Sequence, residues 1–87
     1  MLFLVLYDIP METLRECQER FMTEEEDWTG VKLVGRWHHA QGNTGALIIE
    51  SGDAQAIGAW ANQWTDLLSM EISPVYDDEG IRAVLSD

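Results

Sequence analysis

Leu2-Phe3-Leu4-Val5-Leu6-Tyr7 is a run of six apolar residues that stops at Asp8 and Pro10. Side chains on a strand point alternately to opposite faces. Leu2, Leu4 and Leu6 therefore share one face, and Phe3, Val5 and Tyr7 the other. Neither face is polar, so the segment reads as a central strand that needs cover on both sides. The question for the remaining chain is how many covers it supplies.

Downstream, Ile9-Pro10-Met11 turns the chain, and Thr13 with Glu16 fits a capping box at the start of a helix. Met11, Leu14, Cys17 and Phe21 fall at helical spacing, with Glu12, Arg15, Glu16, Glu19 and Arg20 opposite; Glu16 and Arg20 are spaced for an i,i+4 pair. Glu24 to Asp27, four acids in a row, read as a solvated loop, with Trp28 as its anchor or lid. Val31 to His38 reads as a second strand, with Val31, Leu33, Gly35 and Trp37 on one face and Lys32, Val34, Arg36 and His38 on the other. A turn cluster, Gln41 to Gly45, joins it to a third strand over Ala46 to Glu50.

Asp53 is an N-cap for a second helix, whose core face is Ile57, Trp60, Ala61 and Trp64, extending to Leu68 if the helix runs on. Gly58, inside that helix, suggests close approach of another backbone. Leu68 to Tyr76 alternates as a fourth strand, and Pro74 makes it an edge. Asp77-Asp78-Glu79 opens a short terminal helix with Ile81, Val84 and Leu85 as its apolar stripe.

The order β-α-β-β-α-β plus a tail predicts an α+β, ferredoxin-like fold: one domain over residues 1–87, with two helices on one face of a four-stranded antiparallel sheet. The first and third strands are central; the second and fourth are edges. Two helices cover one sheet face. The other keeps an apolar set from the first strand and another from Ala46-Leu47-Ile48-Ile49, and the tail helix is too small to shield it all. An apolar face of that size is expected to pack on its counterpart in a second chain, giving a homodimer.

Composition narrows the function. The 87 residues carry 16 acids and 5 scattered bases, a net charge of −11. Nucleic acid and anionic membranes both require clustered Lys and Arg, so neither is an expected partner. The initial apolar run is too short to span a bilayer and has no basic start, so a cytoplasmic location is the default. Cys17, the only cysteine, reads as a small buried hydrophobe.

Gly35-Arg36-Trp37-His38 before a Gly-rich hairpin, Trp60 through Trp64, and Pro74-Val75 followed by Asp77-Asp78-Glu79 resemble a group of short microbial proteins known only as a domain of unknown function. The resemblance covers nearly the whole chain and implies the dimeric α/β barrel version of the fold. It brings no catalytic residue. More distantly, the layout is similar to small antibiotic-biosynthesis monooxygenases and haem-degrading enzymes, whose activity does not transfer on fold alone.

Arg36 and His38, two apart on one strand, point the same way and are the leading ligand-binding candidates. A guanidinium matches a carboxylate, and an imidazole donates or moves a proton near neutral pH. The plainer reading is a solvated edge face paired with Glu50. Trp37, Trp60 and Trp64 are candidate pocket walls, with Tyr7 at one mouth. His38 and His39 are adjacent and face opposite ways, so no metal is expected, and neither a haem-attachment motif nor a phosphate loop implies a cofactor. Three functions fit: a homodimer binding a small apolar or anionic molecule, a cofactor-free oxygenase using His38 as proton shuttle with Tyr7 nearby, and an acidic assembly module that docks a basic protein.

Overall fold

β1 (Leu2–Asp8) lies at the centre of the sheet, as a strand apolar on both faces should. In the computed structural model, which describes residues 1–86, it is flanked by β3 (Thr44–Glu50) and β4 (Ser69–Val75), both antiparallel to it. β2 (Lys32–His38) is the outer partner of β3, giving the order β2-β3-β1-β4. α1 (Leu14–Thr23), α2 (Ala54–Asn62) and α3 (Asp78–Leu85) complete the chain. This is the expected ferredoxin-like arrangement, with β1 and β3 central. Among the described residues no helix is long and apolar enough to cross a membrane.

The core forms on one face. Val5 and Tyr7 of β1, Leu47 and Ile49 of β3, Cys17 of α1, and Ile57, Trp60 and Ala61 of α2 are buried in a single cluster. The opposite face carries Leu2, Leu4 and Leu6, with Ala46 and Ile48 of β3 beside them; each of these is half-buried or exposed. α3 does not cover that face with buried contacts. None of its residues is buried, and Ile81, Val84 and Leu85 are all exposed.

β2 departs from strict alternation. Leu33 pairs with Ile49 and Gly35 with Ile48, so Val34 is an extra residue in a β-bulge. Leu33, Arg36 and His38 consequently share the helix-covered face, across from Ile49, Leu47 and Gly45. Gly35 and Trp37 face the other way, across from Ile48 and Ala46. The expected grouping of Leu33 with Trp37, against Arg36 and His38, fails for this reason.

Several local expectations give way to tertiary partners. Thr13 makes no side-chain cap; its hydroxyl donates instead to the Leu67 carbonyl at 2.6 Å. Arg20 turns from Glu16 to Asp66, which accepts two bonds at 2.8 and 2.9 Å, and to the Gln63 carbonyl at 2.7 Å. Met11 is exposed rather than part of the buried face of α1. α2 stops at Asn62, and turns carry the chain through Trp64 and Leu67, both buried. Asp53 is the expected N-cap, accepting from the Gln55 amide at 2.9 Å. Gly30 adopts a positive φ of 76°, and a Cβ there would stand 2.7 Å from that of Ala56, so this turn requires glycine.

Gly58 has no such reason. It is exposed, and the space a Cβ would occupy is open. A helix-interior glycine costs conformational entropy without return here. Gly58→Ala is expected to raise the unfolding free energy by about 0.5–1 kcal/mol in urea titrations, with an unchanged denaturant slope.

Candidate functional site

Three neighbouring positions on three strands build the centre of the site. In the sheet register Tyr7 of β1 lies opposite Gly45 of β3, which lies opposite His38 of β2. Because Gly45 has no side chain, the Tyr7 ring lies across β3. A Cβ on Gly45 would stand 2.5 Å from Tyr7 Cε2. The phenol oxygen then reaches His38 Nδ1 at 2.6 Å.

Above this pair is a cavity of about 390 Å³ between the sheet and the helices. Leu47, Trp60, Trp64, Cys17, Phe21 and Met70 form much of its apolar wall, while Arg36, His38 and Gln18 bring polar atoms to it. Phe21 meets the His38 ring edge-on, with centroids 5.6 Å apart, and the guanidinium of Arg36 lies 5.0 Å from the Phe21 centroid.

A single carboxylate links three of the lining residues, Arg36, Trp60 and Trp64. Glu26 Oε1 is 2.7 Å from Arg36 Nη1, and Glu26 Oε2 accepts from both indole N–H groups, Trp60 Nε1 at 3.0 Å and Trp64 Nε1 at 3.2 Å. The Glu26 side chain is only 9% exposed. Trp28 follows it in the loop and stacks on Trp60 at 5.4 Å, with Arg36 5.6 Å from its ring. Gln63 clasps the same loop, accepting from the Asp27 amide and donating to the Asp27 carbonyl, both at 2.8 Å. The acidic run is thus not uniformly solvated. Three of its four acids are exposed and the fourth, the half-buried Glu26, is a counter-ion whose side chain is largely enclosed.

The protonation states follow from the surroundings. Burial raises the pKa of the Tyr7 phenol, as does the nearby Cys17 thiol, against the opposing charge of Arg36. Partial burial and then the Arg36 charge lower the pKa of the His38 imidazole, and Glu26 opposes them. Both shifts favour a neutral phenol against a neutral imidazole. Burial also raises the pKa of the Cys17 thiol, which keeps it a thiol in the cavity wall.

Of the six residues that the sequence points to, five line this cavity: Tyr7, Arg36, His38, Trp60 and Trp64. Trp37 does not join them. It is on the helix-free face, 62% exposed, with its ring folded over Gly35. The residue that sequence reading missed is Glu26, because nothing local separates it from the acids on either side. Among the described residues no group of three or more His, Cys, Asp or Glu is placed to hold a metal ion.

A family profile, the domain of unknown function DUF3303, matches residues 1–87. The chain belongs to this family. No curated protein and no solved structure matches it.

Glu26→Gln tests the clasp. An amide offers one acceptor oxygen, so it cannot satisfy Arg36 on one side and two indole donors on the other. The substitution is expected to lower stability by roughly 1–3 kcal/mol in urea unfolding. It also removes the group that holds the His38 pKa up, so the imidazole should titrate still lower when followed by NMR. In the native protein His38 takes its proton at lower pH when folded than when unfolded. Its contribution to stability should accordingly fall as pH drops below the ordinary imidazole value of about 6.5.

Proposed function

We propose that this DUF3303 protein binds a small, mostly apolar molecule in the cavity between sheet and helices, and that it does so as a homodimer. The observation that carries the first part is the cavity itself: about 390 Å³ of space walled by Leu47, Trp60, Trp64, Phe21 and Met70, in an 87-residue protein. Interiors are close-packed, and a chain this small has little core stability to spare for a void without use. Sites for small molecules have this character: apolar walls and a few placed polar atoms.

Of the two ligand types expected from the sequence, apolar and anionic, the geometry favours the apolar one. Arg36 was the attraction for an anion, and Glu26 already neutralises it at 2.7 Å. The net charge of −11 also repels anions at long range.

The uncovered side of the sheet supports the second part. Four strands of seven residues present a face of about 19 by 23 Å. That is roughly half the ~800 Å² each partner gives to a standard interface. The exposed apolar stripe of α3, tethered to β4 through Tyr76 and Asp77, supplies further area of the same character. A second copy matches this surface because its own face has the same need, and two-fold pairing satisfies both at once.

Two measurements test the reading. The neutral fluorophore 1-aminoanthracene should show saturable, enhanced emission at one molecule per chain; absent or non-saturating enhancement would count against the cavity as a binding site. In sedimentation velocity at micromolar concentration the native protein should run as a dimer, and Leu4→Asp, which places a charge on the helix-free face, should run as a folded monomer. A native monomer would remove the second part of the proposal and leave the first intact.

A further inference from the structure

The polar atoms at the cavity are not a balanced set. His38 is tied through Nδ1 to Tyr7, and its second nitrogen, Nε2, makes no hydrogen bond among the described residues. A phenol is a better donor than acceptor and an imidazole nitrogen is a good acceptor, so the Tyr7 hydroxyl donates to Nδ1. The neutral ring then carries its proton on Nε2. Gln18, at the same cavity, accepts from Arg15 Nη1 at 3.2 Å through Oε1, which leaves its amide N–H groups free. Arg36 has only N–H groups to offer, with Nη1 turned to Glu26. Three residues that line the cavity therefore carry uncommitted donors: the exposed His38 through Nε2–H, the half-buried Gln18 through its amide, and Arg36 through the N–H groups that Glu26 does not take.

A site built this way discriminates by hydrogen-bond type. Water reaches these donors in the empty cavity; an occupant without an acceptor displaces it and leaves them unmatched, whereas a carbonyl oxygen accepts from them at no cost in charge. The Arg36–Glu26 pair and the acidic surface remove the incentive for that acceptor to be an anion. We infer that the ligand is a neutral, mainly apolar ketone or aldehyde, and that its carbonyl oxygen accepts from Nε2–H of His38, a donor that Tyr7 positions across the side-chain gap at Gly45. This rests on the reading of the cavity as a small-molecule site and names the ligand class for it.

Three probes of one shape separate the outcomes: 2-acetylnaphthalene, 2-isopropenylnaphthalene, in which C=CH2 replaces C=O, and 2-naphthoate. Each is titrated into the 15N-labelled full chain, with Kd taken from amide and imidazole shifts. The ketone should bind about five- to tenfold more tightly than the alkene, the worth of one neutral hydrogen bond. It should move the His38 imidazole signals, and the alkene should leave them nearly still. The preference should vanish in His38→Phe. It should shrink in Tyr7→Phe, which keeps the ring but releases His38; the dispersed spectra of both variants establish that they fold. Equal affinity for ketone and alkene would overturn the inference while leaving the cavity reading standing. Tightest binding of 2-naphthoate would overturn the neutral class. Failure of all three probes to bind would sink both readings together.

Discussion

A strand that is apolar on both faces has to be covered twice, and nearly everything in this molecule follows from that requirement on β1. Its Val5 and Tyr7 side lies in the core with Cys17 of α1 and Trp60 of α2. Its Leu2, Leu4 and Leu6 side receives nothing from the chain that buries it fully. The first side contains the candidate site, and the second is the helix-free face on which the dimer proposal rests.

The covered side is not filled. Phe21, Trp60, Trp64 and Met70 surround space rather than closing on it. Three of the lining residues, Arg36, Trp60 and Trp64, are joined by a polar clasp. Both indole N–H groups need an acceptor once buried, Arg36 needs a counter-charge, and Glu26 meets all three with two oxygens. A buried ion pair adds little net stability on its own, but its geometry is demanding, and here it fixes the orientation of two Trp rings and the loop that carries Trp28. The same clasp strips Arg36 of its pull on anions. A residue that looks like an anion receptor in the sequence is, in the fold, part of the wall.

At the mouth of the cavity the polarity is set by an absence. Gly45 lies between Tyr7 and His38 in the register, and any side chain there would fill the path between them. Tyr7 reaches His38 only because β3 is bare at that point. The hydrogen bond then fixes the imidazole ring and commits one of its two nitrogens, while the other has no protein partner among the described residues.

The sequence by itself determined the element order, the central place of β1 and β3, the edge position of β4 at Pro74 and the helix cap at Asp53. Those features depend on local pattern: two apolar faces on one strand, helical spacing of Ile57, Trp60 and Ala61, a proline without an N–H. Tertiary structure alone decided the rest. The bulge at Val34 put Arg36 and His38 on the same face as Leu33 and sent Trp37 to the other, and an inserted residue shifts strand phase without leaving a mark in composition. Arg20 chose Asp66 over Glu16 because the distant pairing is bidentate and also reaches the Gln63 carbonyl. Glu26 became the enclosed acid among Glu24, Glu25 and Asp27 only because Trp60 of α2 and Trp64 of the turn after it present two indoles where its carboxylate arrives, and a position in space of that kind has no counterpart in the order of residues along the chain.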